Sequence, residues 1–264
     1  MIVKITCQVT LPKEYRTTNL GSVLHGVLME KIPTQLAEQL HQLSAYSPLR
    51  QRLYFEGGKN IWEIVSFSDP LSDELVAVLL KNAQFYLKRH QTYIQLTDVT
   101  VKRIEDRELI ESCFSNQESD RIAVLNLHTP MSFKAQGTYD VLPDLRKFFR
   151  SSMRTFDTFF PSYHLEDPET LDYILEHVRI SDYNLRSTRF SLEGVRIPVF
   201  IGSIKLRIVG PLPIRQLVWL LLRFGEFSGL GIKTSLGMGK YSIKLPRKSP
   251  EQKIFSEKNN RIEK

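Results

Sequence analysis

Two cysteines in 264 residues, Cys7 and Cys113, form no Cys-x-x-Cys pair and are too few for a disulfide framework. A reducing compartment is the simpler expectation. Long apolar runs are missing too. The most apolar helix-like stretch, Leu217 to Phe224, already contains Arg223. No window of about 18 apolar residues exists, so no membrane-spanning helix is expected. The alternating start, Met1-Ile2-Val3-Lys4-Ile5, does not read as a signal peptide. The chain therefore reads as cytoplasmic, with no membrane partner. His-Glu-x-x-His is absent, which with the separated cysteines argues against a metal centre. No cofactor is expected. A Lys/Arg-Gly-Phe-x-Phe run of the kind that stacks bases in common RNA-binding sheets is absent as well.

What is present is basic. The net charge is +7 with a pI near 9.3, which favours an acidic partner and leaves RNA, DNA and anionic surfaces open. With 42% hydrophobic residues, the chain can bury one large core or two of about 120 residues each.

The hydrophobic pattern supports two cores. Met1 to Thr10 alternates as a half-buried strand, with Val3, Ile5, Cys7 and Val9 on one face. Helix periodicity follows from Leu20 to Lys31, and a second short helix behind Pro33 runs to about Leu43. Leu53 to Phe55 and Ile61 to Phe67 flank Gly57-Gly58-Lys59-Asn60 as a hairpin. A helix from about Leu71 to Lys81 and a β-rich stretch from Ala83 to Ile104 complete β-α-α-β-β-α-β. The charged segment 105 to 119 is the expected boundary, with Leu109, Ile110 and Phe114 indicating that it is partly packed. Beyond it come a strand at Ile122 to Leu127, a long helix over Tyr139 to Phe160 with Pro143 near its true start, and a short one at Pro168 to Glu176. Strands near Ser181 to Leu192 and Pro198 to Ile208, a helix at Pro213 to Phe224 and a strand at Met238 to Leu245 repeat the order. The expected fold class is α+β: two tandem ferredoxin-like (RRM-like) domains, each an antiparallel sheet with helices on one face. The expected limits are 1–115, 116–246 and a flexible charged tail at 247–264.

Two features carry chemistry. Five of the 13 glycines fall between 225 and 239, and Gly229-Leu230-Gly231-Ile232-Lys233 and Gly237-Met238-Gly239-Lys240 form a doubled G-x-G. Glycine reaches φ > 0 and leaves amides uncovered, so such a loop either turns tightly or approaches a polyanion. It is neither a dinucleotide fingerprint, since Thr234 takes the third glycine's place, nor a Walker A loop, since Tyr241 follows Gly239-Lys240. In the long helix, Arg146, Arg150 and Arg154 recur at i, i+4 and i+8 as one basic stripe, either a solvated surface or a phosphate contact.

Several of these residues together resemble one family. The G-x-G-x5-G-x-G loop from Gly229 to Gly239, the Pro211 to Phe227 segment before it and the strand after it are similar to the glycine-rich loop of Cas6-type CRISPR RNA-processing endoribonucleases. Thr129 to Lys134 resembles the segment opening the middle of those proteins, and Leu20 to Leu28 their first helix. Element order agrees over about residues 1 to 245. The resemblance implies two ferredoxin-like domains and metal-independent cleavage of precursor CRISPR RNA within its repeats. Repeat RNA is then the partner, while association with an effector complex or a second copy of the chain stays open. A non-catalytic repeat-binding subunit is the competing reading.

Metal-free RNA cleavage needs a base for the 2′-hydroxyl, an acid for the departing 5′-oxygen and cations for the phosphorane. Histidine suits both proton roles, its unperturbed pKa being about 6.5. By resemblance, His41 matches a general-base histidine after a short leucine-containing helix. His25 falls where some members carry a catalytic tyrosine, which implies a two-histidine site. Arg52 matches the third, cationic member, with Arg50 a close competitor, and His128 is the leading alternative histidine. Gly229, Gly231, Lys233, Gly237, Gly239, Lys240, Arg146, Arg150 and Arg154 are the expected RNA-binding residues.

Overall fold

A computed structural model describes residues 1–12, 20–43, 46–115, 120–192 and 194–244. The expected tail at 247–264 lies outside the described residues. The first half contains β1 (Ile2–Thr10), α1 (Gly21–Lys31), α2 (Thr34–Gln42), β2 (Leu49–Glu56), β3 (Lys59–Ser66), α3 (Asp69–Lys81), β4 (Gln84–Leu87), β5 (Thr92–Ile104) and α4 (Asp106–Phe114). Its strands form an antiparallel sheet in the order β2-β3-β1-β5-β4. Period-two alternation turns Val3, Ile5, Cys7 and Val9 to one face, where Leu24, Val27 and Leu28 of α1 and Leu71, Leu75 and Leu79 of α3 bury them.

The second half contains β6 (Ile122–Leu127), a small hairpin of β7 (Lys134–Ala135) and β8 (Thr138–Tyr139), α5 (Leu145–Phe159), α6 (Pro168–His177), β9 (Val178–Leu192), β10 (Val195–Ile208), α7 (Leu212–Ser228) and β11 (Tyr241–Lys244). The order β11-β6-β10-β9, all antiparallel, repeats the first sheet's scheme: the first strand sits between the third and the last. The α+β architecture of two ferredoxin-like domains is thus the fold. A third cluster joins the halves: Ile2, Val65 and Ile104 pack with Phe156, Phe160, Leu220 and Phe224. Phe67 stacks on Phe159 at 4.3 Å there.

The structure refines several local expectations. The long helix starts at Leu145, just after the expected Pro143, because Asp144 caps it by accepting from the Lys147 amide at 3.1 Å, while Tyr139 belongs to β8. The charged 105–119 segment folds over Asp106–Phe114 as α4, with Leu109 and Cys113 turned inward and the Phe114 carbonyl accepting from Gln216 Nε2 of α7. The last strand begins at Tyr241, and Met238 remains in the glycine loop. Gly202 lies within β10, where a side chain would meet the Asn184 carbonyl, so glycine permits the close crossing of the hairpin. Among the described residues no helix is long and apolar enough to cross a membrane.

Candidate nucleic-acid interface

The glycine loop leaves α7 at Gly229, whose φ of 67° ends the helix. Gly231, Gly237 and Gly239 also have positive φ, and so does Lys233, which stands exposed at the apex. A side chain at Gly231 would meet the Ser132 carbonyl oxygen at 2.3 Å, and one at Gly239 the Leu230 carbonyl oxygen at 2.2 Å. Several of the loop's amides are used internally. Leu230 donates to Gly239, Ile232 to Ser132, Met238 to Lys233 and Gly239 to Pro130. The glycines therefore serve close packing, and Gly229, Gly237 and Gly239 are buried. At Gly229 and Gly239, whose amides donate to the Gly225 and Pro130 carbonyls, this bonding runs against the expectation of bare amides facing RNA, and the exposed cation on the loop is Lys233.

The loop rests on the start of α1. Gly21 lies under it, where a Cβ would come within 2.1 Å of the Leu236 carbonyl oxygen. Gln51 of β2 ties both together, donating to the Gly21 carbonyl at 2.6 Å and the Ser235 carbonyl at 3.0 Å. The start of α1 at Gly21 and the loop at Ser235 to Gly237, distant in sequence, thus lie together.

Beneath this contact is a buried charge cluster. Glu63 of β3 has no exposure and takes Arg52 Nε at 2.8 Å, Lys240 Nζ at 3.0 Å and Lys4 Nζ at 3.1 Å. Burial pushes its carboxyl upward, yet the charges of Arg52, Lys240 and Lys4 outweigh burial and hold it well below the usual carboxylate range. Lys240 is pushed down to about 8, chiefly by burial, with Glu63 opposing. Three cations also cap the α7 C-terminus: Arg50 donates to Ser228, Arg52 to Glu226 and Phe227, and Lys240 to Glu226. They satisfy carbonyls that the helix leaves open and face the negative end of its dipole. Arg52 is expected as the catalytic cation and Lys240 as an RNA contact. The structure instead places both inside, because β2 is covered on one face by helices and on the other by the second half.

The remaining candidates lie as follows. His25 is half-buried in α1, and His41 is exposed in the last turn of α2. The two helices are joined by Ile32 and Pro33 and pack on each other. His128 is set between the halves, its ring 4.9 Å from that of Tyr54 and its Nε2 2.8 Å from Ser242 Oγ. Burial lowers its pKa despite Glu56 at 3.6 Å. The α5 arginines keep their stripe but meet carboxylates: Arg146 pairs with Asp172 at 2.7 Å, and Arg154 and Arg150 share Glu166. Glu63, which organises the cluster, was not singled out from sequence. Its sole signal is an acidic residue inside the apolar run Ile61 to Val65.

Residues 125–241 match the family model of the CRISPR-associated endoribonuclease Cas6. The chain is 31% identical over 237 residues to a CRISPR-associated endoribonuclease Cas6 of Streptococcus thermophilus, spanning 88% of this chain and 93% of that one. It is 30% identical over 258 residues to one of Mycobacterium tuberculosis, spanning 94% and 79%. Its fold is similar to that of a Cas6 solved as a product complex, with a TM-score of 0.74 at 20% identity over 92% of this chain and all of that one.

Proposed function

The chain belongs to the family of CRISPR-associated endoribonucleases Cas6, and from that premise we propose that it cuts precursor CRISPR RNA within each repeat without a metal ion. The observation that carries this reading to particular residues is the meeting of the glycine loop with the start of α1 at Gly21 and Gln51. This meeting supports an RNA-facing surface beside the helix pair that carries His25 and His41.

In the proposed reaction one imidazole takes the 2′-hydroxyl proton as O2′ attacks phosphorus. The P–O5′ bond breaks, and the other imidazole protonates O5′. The products are a 2′,3′-cyclic phosphate and a 5′-hydroxyl. Lys233 is the loop cation placed to meet phosphate. Arg146, Arg150 and Arg154 contribute where RNA phosphate displaces Asp172 and Glu166. Arg52 acts through position, holding α7 and the loop against β2, and does not touch the phosphorane. The expected division at residues 115/116 is part of this proposal, as is operation in the cytoplasm.

The test is labelled repeat RNA incubated with the protein in excess EDTA, followed by analysis of both product ends. Cleavage to a cyclic phosphate and a 5′-hydroxyl is the expected result. Tight binding with no cleavage would replace this reading with that of a repeat-binding subunit of an effector complex.

A further inference from the structure

Not every glycine of α1 is explained by packing. Gly21 is required by the loop above it, but Gly26, in the middle of the same helix, has nothing within 4 Å of where a side chain would stand. Glycine is the poorest helix former apart from proline, so the fold itself gives this position no reason to be glycine. Gly26 lies on the floor of a cleft of about 210 Å³ between α1 and the edge strand β4. Ser22, Gly26 and Glu30, spaced by four, form the helix side of that cleft. Tyr86, Lys88 and Arg89 form the other side, at the end of β4 and in the short 3₁₀ turn after it.

The wall has the composition of a single-strand nucleotide site. Tyr86 is exposed, and its ring stands 4.9 Å from that of the exposed Tyr93 across the strand pair. Aromatic faces stack bases of any sequence, while neighbouring cations follow the backbone. Lys88 pairs with Glu30 at 3.0 Å, but both are more than half exposed. Such a pair contributes little and exchanges readily, which leaves Lys88 for a phosphate and the Glu30 carboxylate for an amino group on a base. His25 follows Ser22 by three residues, so the cleft lies on the row of the helix next to the proposed proton-transfer residue.

We propose that the α1–β4 cleft holds one unstacked nucleotide of single-stranded repeat RNA, its base over Gly26 beside Tyr86 and its phosphate on Lys88 and Arg89. The site rests on the reading of the chain as a repeat-RNA nuclease and gives that reading a point of base discrimination. Filling the floor is the cleanest perturbation, because a Cβ at Gly26 has no protein atom within 4 Å.

The test is the affinity of wild type, Gly26→Ala, Gly26→Leu and Arg89→Ala for repeat RNA carrying an abasic site at each unpaired position in turn. Gly26→Ala should melt at or above the wild-type temperature, and Gly26→Leu should bind intact repeat RNA roughly tenfold more weakly, the scale of one lost base stack. One abasic position should cost wild type a similar factor and cost Gly26→Leu nothing further, as expected when both changes remove the same contact. If Gly26→Leu fails to fold, the same coupling is read from Gly26→Ala and Arg89→Ala. Unchanged affinity with an unchanged abasic profile would overturn the site, and so would loss of cleavage alone, which would assign Gly26 to the geometry of His25. Wild type that neither binds nor cuts repeat RNA would overturn this site and the functional reading together. Wild type that binds and cuts while the variants match it would overturn the site only.

Discussion

Arg52 and Lys240 lie between the two halves with almost no exposure, whereas Arg146, Arg150 and Arg154 ride on the exposed side of α5. The chemistry of the side chains is the same and their partners are all carboxylates or carbonyls. The difference is water. Around Glu63 each cation has been taken out of solvent, so every missing partner would leave an uncompensated buried charge. On α5 the pairs with Asp172 and Glu166 stay hydrated and can dissolve or exchange at little cost. A cation in this chain is therefore structural or available to RNA according to what covers it, and the spacing that finds it in the sequence does not tell which.

The largest break in this comparison should come from Glu63→Gln. Removing the charge while keeping the shape leaves Arg52, Lys240 and Lys4 facing one another, and stability should fall by about 3–5 kcal/mol, measured by urea unfolding. The acid limb sharpens the same point. Glu63 binds its proton less tightly in the folded than in the unfolded chain, so its contribution is full above the ordinary value of 4.5 and is lost as pH falls below it toward the folded value. The urea midpoint of wild type should drop through that range, and part of the drop should vanish in Glu63→Gln.

A smaller loss, about 1–3 kcal/mol, is expected for Gly239→Ala, which puts a side chain at positive φ against the Leu230 carbonyl. Its thermal midpoint would show it. Arg154→Ala should change stability by no more than about 1 kcal/mol. Lys233→Ala should leave stability unchanged and reduce the slope of log affinity against log salt for repeat RNA by about 1.

The sequence carried the fold because alternation and helix periodicity survive in nearly every element. Ile2 to Thr10 and the stretch from Leu20 to Lys31 are half-buried in the simplest way, one face against the core. Legibility failed where a second surface covers an element. Leu49 to Tyr54 is buried throughout, including Arg50, Gln51 and Arg52, because the second half closes over the face that polar residues normally give to solvent. Lys240 is hidden for the same reason: its proximity to glycines suggests phosphate, while Glu63, 177 residues away, accepts from it. The loop's place against α1 was visible only as two unconnected motifs, since nothing in either reports the contact at Gly21.

The account turns on whether the histidines of the α1–α2 pair carry out proton transfer. The direct measurement is the single-turnover cleavage rate of repeat RNA in EDTA at saturating protein, for wild type, His41→Ala and His25→Ala, with affinity measured alongside. The account predicts that at least one variant cuts about 10²–10⁴-fold more slowly while binding as wild type does. Both variants cutting at the wild-type rate would contradict it.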